Sequence, residues 1–430
     1  MPVNKRATLA QPVRPRVAVP WIRVQSTNVN RHAAYLRPFR RDEFGSGNSS
    51  PSPGHVQATN ELIKSLRTKL FKLTRKVTAA SNKAAAQPAT AHLQDLLERK
   101  ERAHAAVKSI ERVWDFYFLI FSQRQTRFGE WMVACDRIAL DCYQDTFMGL
   151  GVAKSIPAPP PFAHMEVGRT PATFRRGIRL SRLGQINPFP LVQLPYHRLL
   201  NPWTLGAITH EVCHNFQNEL GLAKLIPRNI AATLLQAGLG RSVAAVWTRW
   251  NRETYADLHG LLLGGPAIVG SLLDVVGRSP STVLTYNPRG VHPTPYLRVF
   301  LSLELLRRMG FTDQAEQYRK LWQKMYPDPR SGTIPKAVLE TYPEAIRLVV
   351  DTICSRRYQT LGNKSLAEVV PFGPKEQQMT EEASRRLAAG VDPGIIPERF
   401  LIGAARLAVE RRLARPEVIT KNFYRDLARR

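Results

Sequence analysis

The sequence is poor in acid and in cysteine, and it holds no long uninterrupted apolar run. Asp and Glu number 34 against 62 Lys and Arg, which leaves a formal net charge of +28. Nine basic residues precede the first acid, Asp42. Such an excess attracts polyanions, whether nucleic acid, an anionic membrane surface or acidic proteins. An arginine-rich proteome with basic tails accounts for it as well. Four cysteines (Cys135, Cys142, Cys213, Cys354) form no C-x-x-C pair and no disulfide framework, so reduced thiols are expected. The start of the chain lacks the apolar stretch of a signal peptide. The most apolar window, Leu258 to Gly277, is broken by His259, Pro266 and Asp274 and does not read as a membrane span. These absences predict a soluble, cytoplasmic protein without internal repeats.

What is present divides into four stretches. Residues 1–55 read as a basic, disordered tail, because prolines interrupt any amphipathic helix and Ser and Pro cluster at its end. Residues 56–156 read as helical. Ile63, Leu66, Leu70, Leu73 and Val77 recur by three and four, beside a strongly basic remainder. Leu93, Leu96, Leu97, Val107, Ile110, Trp114, Phe118 and Phe121 continue the pattern after a turn at Gln87-Pro88, and a further helix is expected around Glu130 to Met148. The proline cluster Pro157 to Pro161 opens a third stretch, 157–310, with strands expected at Thr173 to Leu180 and Phe189 to Leu194. Residues 311–430 read as a C-terminal helical region.

The third stretch carries the chemistry. His210-Glu211-Val212-Cys213-His214 is an H-E-x-x-H pattern. On a helix, positions i and i+4 share a face, so both imidazoles can hold one Zn²⁺. Glu211 then lies beside a water that the metal activates and can take its proton. Asn201 is expected as the helix N-cap, with Pro202 in the first turn. A catalytic zinc needs a third protein ligand and one open position. Glu253 and Asp257, again i and i+4, supply a ligand and a carboxylate able to orient a ligand imidazole. Glu219 lies too close to His214 on the same helix to turn back to the metal. Gln217 and Leu220 stand where a metzincin has Gly and His, which excludes that class. Glu130 and Asp136 share no helix face. Farther on, His292 precedes Pro293 and is followed by Arg298. His292 is suited to an oxyanion and Arg298 to anchoring the acidic groups.

The ordered set H-E-x-x-H, E-x-x-A-D, H-P-x-x-x-x-R resembles the gluzincin metallopeptidases. More narrowly it resembles the CAAX-prenyl endopeptidase-like family and its soluble relatives, over roughly residues 190–310. The resemblance implies a mainly α (α+β) chain. Its zincin-like catalytic domain would have a small sheet before the H-E-x-x-H helix and helical regions on either side. It also implies zinc on His210, His214 and Glu253, with Glu211 as general base and Asp257 behind the ligands. His292 and Arg298 would stand near the oxyanion. A sheet edge in such enzymes can hold a peptide substrate as an added strand. A different class remains open at this point: a polyanion-binding or scaffold protein with a structural zinc site or none, or a protease recruited to nucleic acid by its basic region. DNA–protein crosslink proteases of the Spartan type join those two activities but use a third His where this chain has Glu253.

Overall fold

The computed structural model describes residues 15–151, 155–156, 158–168, 171–180 and 184–430. The chain is mainly helical with five short strands among these residues: β1 (Phe162–Met165), β2 (Ala172–Phe174), β3 (Arg179–Leu180), β4 (Gln185–Ile186) and β5 (Leu191–Leu194). It divides into two compact units. The smaller holds residues up to 125 with 177–188, and the larger holds 126–176 with 189–430. None of the three boundaries, after residues 125, 176 and 188, coincides with the four-part division read from the sequence. No described helix is long and apolar enough to cross a membrane.

In the smaller unit α1 (Pro15–Tyr35), α2 (Pro53–Ala86) and α3 (Thr90–Ser122) pack together. α2 starts with the Ser52 hydroxyl accepting from the His55 backbone N–H, and with Pro53 in its first turn. Its buried seam is Ile63, Leu66, Leu70 and Val77, with Leu73 half-buried beside them. Leu97 of α3, expected in the core, is exposed.

Residues 15–55 are not the disordered tail expected from composition; residues 1–14 lie outside the described residues. α1 buries Ile22 and Val29 against Val77, Ala80, Ala84, Leu96 and Ala103, and its Ala33 is buried as well. Ser81 Oγ donates to the Ile22 carbonyl at 3.0 Å. Phe39 and Phe44 join Trp114, Phe118 and Phe121 in an aromatic cluster. Packing against two distant helices supplies the stability that a local reading of charge and proline does not register.

The larger unit contains a three-stranded sheet of order β1-β5-β2, with β1 parallel and β2 antiparallel to β5. The single strand expected over Thr173 to Leu180 is instead two. β2 pairs with β5, whereas β3 pairs with β4 in the smaller unit. Gly177, at φ 79°, turns the chain between them, and its N–H bonds the Asn187 carbonyl. β1 escaped the sequence reading because four residues after a proline cluster show no alternation.

The helices of this unit are α4 (Gly129–Gly149), α5 (Tyr196–Leu200), α6 (Gly206–Glu219), α7 (Leu225–Gln236), α8 (Arg241–Arg249), α9 (Asn251–Gly264) and α10 (Ala267–Val276). They continue with α11 (Pro280–Val283), α12 (Pro295–Arg308), α13 (Thr312–Met325), α14 (Lys336–Val350), α15 (Leu366–Val369), α16 (Pro374–Ala389), α17 (Phe400–Glu410) and α18 (Pro416–Arg429). α6 lies in the core, with Ile208, Val212, Cys213 and Phe216 fully buried. Each such aliphatic or aromatic side chain contributes about 1.5–3 kcal/mol on burial. The same hydrophobic cluster extends to Val338, Leu401 and Phe423, so the helices beyond residue 310 share the core of the H-E-x-x-H helix.

α6 begins later than its sequence suggested. Pro202–Thr204 is a 3₁₀ turn, and the Asn201 amide donates to the His197 carbonyl instead of capping. α9 crosses α6 closely at Gly260. A Cβ there would stand 3.1 Å from Thr209 Oγ1 and 3.3 Å from the His210 nitrogen. This close approach brings the N-terminal turns of α9 alongside the two histidines.

Candidate metal centre

α6 places His210 and His214 one turn apart on one face, with their Nε2 atoms 3.1 Å apart. Opposite them, in the first turn of α9, stands Glu253. Its Oε2 lies 3.4 Å from His210 Nε2, and its Oε1 lies 3.5 Å from His214 Nε2. Among the described residues these three form a group of donors all within 4.8 Å of one another, able to hold a metal ion. A tetrahedral Zn²⁺ with bonds of about 2.0–2.1 Å sets its donors about 3.3–3.4 Å apart. The spacing between the two imidazole nitrogens is close to that edge, while Glu253 meets the two rings through different carboxylate oxygens; two imidazoles and a carboxylate are donors that a divalent metal ion accepts.

Asp257, one turn after Glu253, sits behind His210, with Oδ1 2.8 Å from Nδ1. That contact orients the ring and turns Nε2 toward Glu253 and His214. Arg298, in the first turn of α12, grips Asp257 with two bonds, Nε to Oδ2 at 2.5 Å and Nη2 to Oδ1 at 2.7 Å. Its Nη2 is also 3.9 Å from Glu253 Oε2. His292, on the segment before α12, brings Nε2 to 3.2 Å from Glu253 Oε2 while its side chain stays 63% exposed. It does not join the group of three donors. Glu219 points elsewhere and accepts from the Tyr143 hydroxyl at 3.4 Å.

The charges are strongly coupled. Burial alone lowers the pKa of His210, but hydrogen bonds to Asp257 and Glu253 outweigh it and hold the ring up to about 10. Burial, reinforced by the charge on His210, lowers His214 to about 3. Burial would raise Glu253, yet His210, His214 and Arg298 bring it down to about 2. Asp257 also falls well below the usual carboxylate range, because Arg298 and His210 overcome its burial. Glu211 is different. Burial is the main cause and, together with the negative Glu253, outweighs the nearby His210 and Arg298 charges to push it up to about 7. Glu211 is thus a buried carboxyl whose pKa lies far above those of Glu253 and Asp257.

Some supporting residues carry no sequence signal. Gln217 of α6 donates to Asn251 Oδ1 at 2.9 Å, fastening α6 to the start of α9. Asn215 Nδ2 reaches Thr173 Oγ1 at 3.4 Å and links α6 to β2. Arg249 donates to the Gly290 carbonyl at 3.1 Å and the Tyr286 hydroxyl at 2.7 Å, holding the segment that delivers His292. These pairs are 34 to 42 residues apart in the chain, beyond the reach of any local pattern; the Gly260 crossing is likewise invisible until both helices are placed.

Comparison with protein-family models, with curated proteins and with solved structures gave no match.

Proposed function

We propose that this protein is a zinc-dependent metalloendopeptidase of gluzincin type, resembling the CAAX-prenyl endopeptidase-like enzymes, with a zincin-like catalytic domain in its larger unit. The observation that carries the reading is the gathering of His210, His214 and Glu253 within 4.8 Å of one another, with Glu211 buried on the same helix as the two histidines. His210, His214 and Glu253 would hold Zn²⁺. When bound, the ion supplies Lewis-acid chemistry, polarising a scissile carbonyl and bringing the pKa of water toward about 7.

The chain's own residues account for the rest. Glu211 accepts a proton from the attacking water and returns it to the leaving amine. Asp257 keeps His210 in the tautomer that leaves Nε2 free to coordinate, and Arg298 neutralises Asp257. His292 donates a hydrogen bond to the oxyanion of the tetrahedral intermediate, and its exposure leaves it accessible to a bound peptide. β2, at the sheet edge and tied to α6 through Thr173, would take an extended substrate as an added strand. Four free, buried cysteines suit a reducing compartment such as the cytoplasm.

The test is Glu211→Gln, which keeps the shape of the side chain. Zinc content and fold should persist, while cleavage of a mixed peptide library falls by about 10²–10⁴-fold. His210→Ala serves as the metal-free control. Cleavage that continues in both variants would refute the assignment. So would a fourth protein ligand on the metal, which would mark a closed, structural site of a scaffold protein instead.

A further inference from the structure

The basic excess is not spread evenly over the α2–α3 hairpin. α3 carries five Lys/Arg (Arg99, Lys100, Arg102, Lys108, Arg112) and five acids (Asp95, Glu98, Glu101, Glu111, Asp115). It also pairs some of them internally, as in Asp95–Arg99 and Glu98–Arg102. α2 carries seven Lys/Arg and a single acid, Glu61. A basic bias of the whole proteome would load both helices alike.

Five of the α2 cations, Lys64, Lys69, Lys72, Arg75 and Lys76, are exposed. Among the described residues none of the five has an ion-pair partner. At 100° per residue they fall within an arc opposite the buried seam of Ile63, Leu66, Leu70 and Val77. From Lys64 to Lys76 the row spans about 18 Å along a straight helix. One acid, Glu61, shares this face a turn before Lys64, and holding five like charges against a single counter-charge is unfavourable, a cost that a polyanion removes.

The same face selects among polyanions. α2 exposes no large apolar side chain, so it lacks what a helix needs to enter a bilayer surface. The exposed apolar residues Val17, Trp21 and Val24 belong to α1. The one aromatic of α2, Phe71, is half-buried and covered by the Arg67 guanidinium at 5.0 Å. The row therefore offers no platform on which unpaired bases could stack. Lysines dominate it, and a lysine meets phosphate as a point charge without reading base edges.

We infer that the exposed face of α2 binds the phosphate backbone of a nucleic-acid double helix, independently of sequence. This goes beyond the metal centre, and its test involves neither zinc nor peptide cleavage. Full-length protein is titrated with two unrelated DNA duplexes of about 25 base pairs between about 50 and 200 mM salt. Both should bind equally, with affinity falling roughly 500-fold over that range if all five cations engage phosphate. Each single change, such as Lys72→Gln, should flatten the salt slope by about one, and replacing all five by Gln should remove about four to five. Being exposed, the single variants keep the fold. Lys320→Gln with Lys324→Gln on α13, also exposed, should leave the slope unchanged.

The inference is overturned if the α13 pair flattens the slope as much as two α2 changes do, since attraction would then be diffuse. It is also overturned if a single strand of the same length binds tighter than the duplex. Capture by phosphatidylserine-containing vesicles without duplex binding would assign the face to membranes instead.

Discussion

At the scale of single residues, the centre depends on a division of labour between two carboxylates one helical turn apart. Glu253 contacts both imidazoles, whereas Asp257 reaches only the far side of His210 and is held there by Arg298. Their substitutions should therefore differ in kind. Glu253→Ala removes a donor and should abolish stoichiometric zinc. Asp257→Ala leaves all three donors in place but frees the His210 ring, and should weaken affinity by about 10–100-fold. Competition with a chelator of known affinity measures both. Full zinc occupancy in Glu253→Ala would sink the assignment of that residue as a ligand.

At the scale of elements, α4, α6 and α9 meet around the fully buried His259, which stands apart from the three metal-ligand candidates. His259 Nδ1 is 2.9 Å from the Tyr255 hydroxyl and Nε2 is 3.3 Å from Thr146 Oγ1, with the Phe216 ring 5.1 Å away. Complete burial with no acidic partner lowers its pKa to about 3. Between that value and the unfolded value near 6.5, the unfolded chain binds the proton and the folded chain does not. The contribution is thus intact above about pH 6.5 and is lost as pH falls, by about 1.4 kcal/mol per pH unit. His259→Gln should lose less stability than wild type between about pH 6.5 and 4.5 by urea unfolding. Identical pH slopes in the two proteins would show that His259 does not carry the effect.

At the scale of the molecule, the larger unit is fastened across long stretches of chain by Arg399, just before α17. Its Nη1 and backbone N–H reach Asp141 at 2.9 and 3.0 Å, its Nη2 reaches Asp145 at 2.7 Å, and its Nε reaches the Leu263 carbonyl at 2.9 Å. It thereby joins α17 to α4 and to the end of α9. Burial raises the pKa of Asp145 despite the guanidinium beside it, so this network bears a real desolvation cost. Arg399→Ala strands the buried Asp141 and the half-buried Asp145 and should cost the larger unit about 3 kcal/mol. The relevant urea transition is that of the larger unit, because two compact units need not unfold together. A loss below about 1 kcal/mol would mean that water replaces the guanidinium.

The metal-ligand candidates were legible in the sequence because their geometry is local. An i, i+4 pair on a helix shares a face whatever surrounds it, which holds for His210 with His214 and for Glu253 with Asp257. The mainly helical character and the buried seam of α2 follow from the same periodicity. Tertiary structure decided the rest, since it depended on contacts between distant segments. α1 folds because α2 and α3 cover its apolar face, although its own composition argues for disorder. The segment expected as one strand splits at Gly177 because β5 and β4 each claim half of it. Above all, the sequence could list both carboxylate and histidine pairs but not bring them together. That juxtaposition rests on the crossing of α6 and α9 at Gly260, where the absence of a side chain lets two backbones approach.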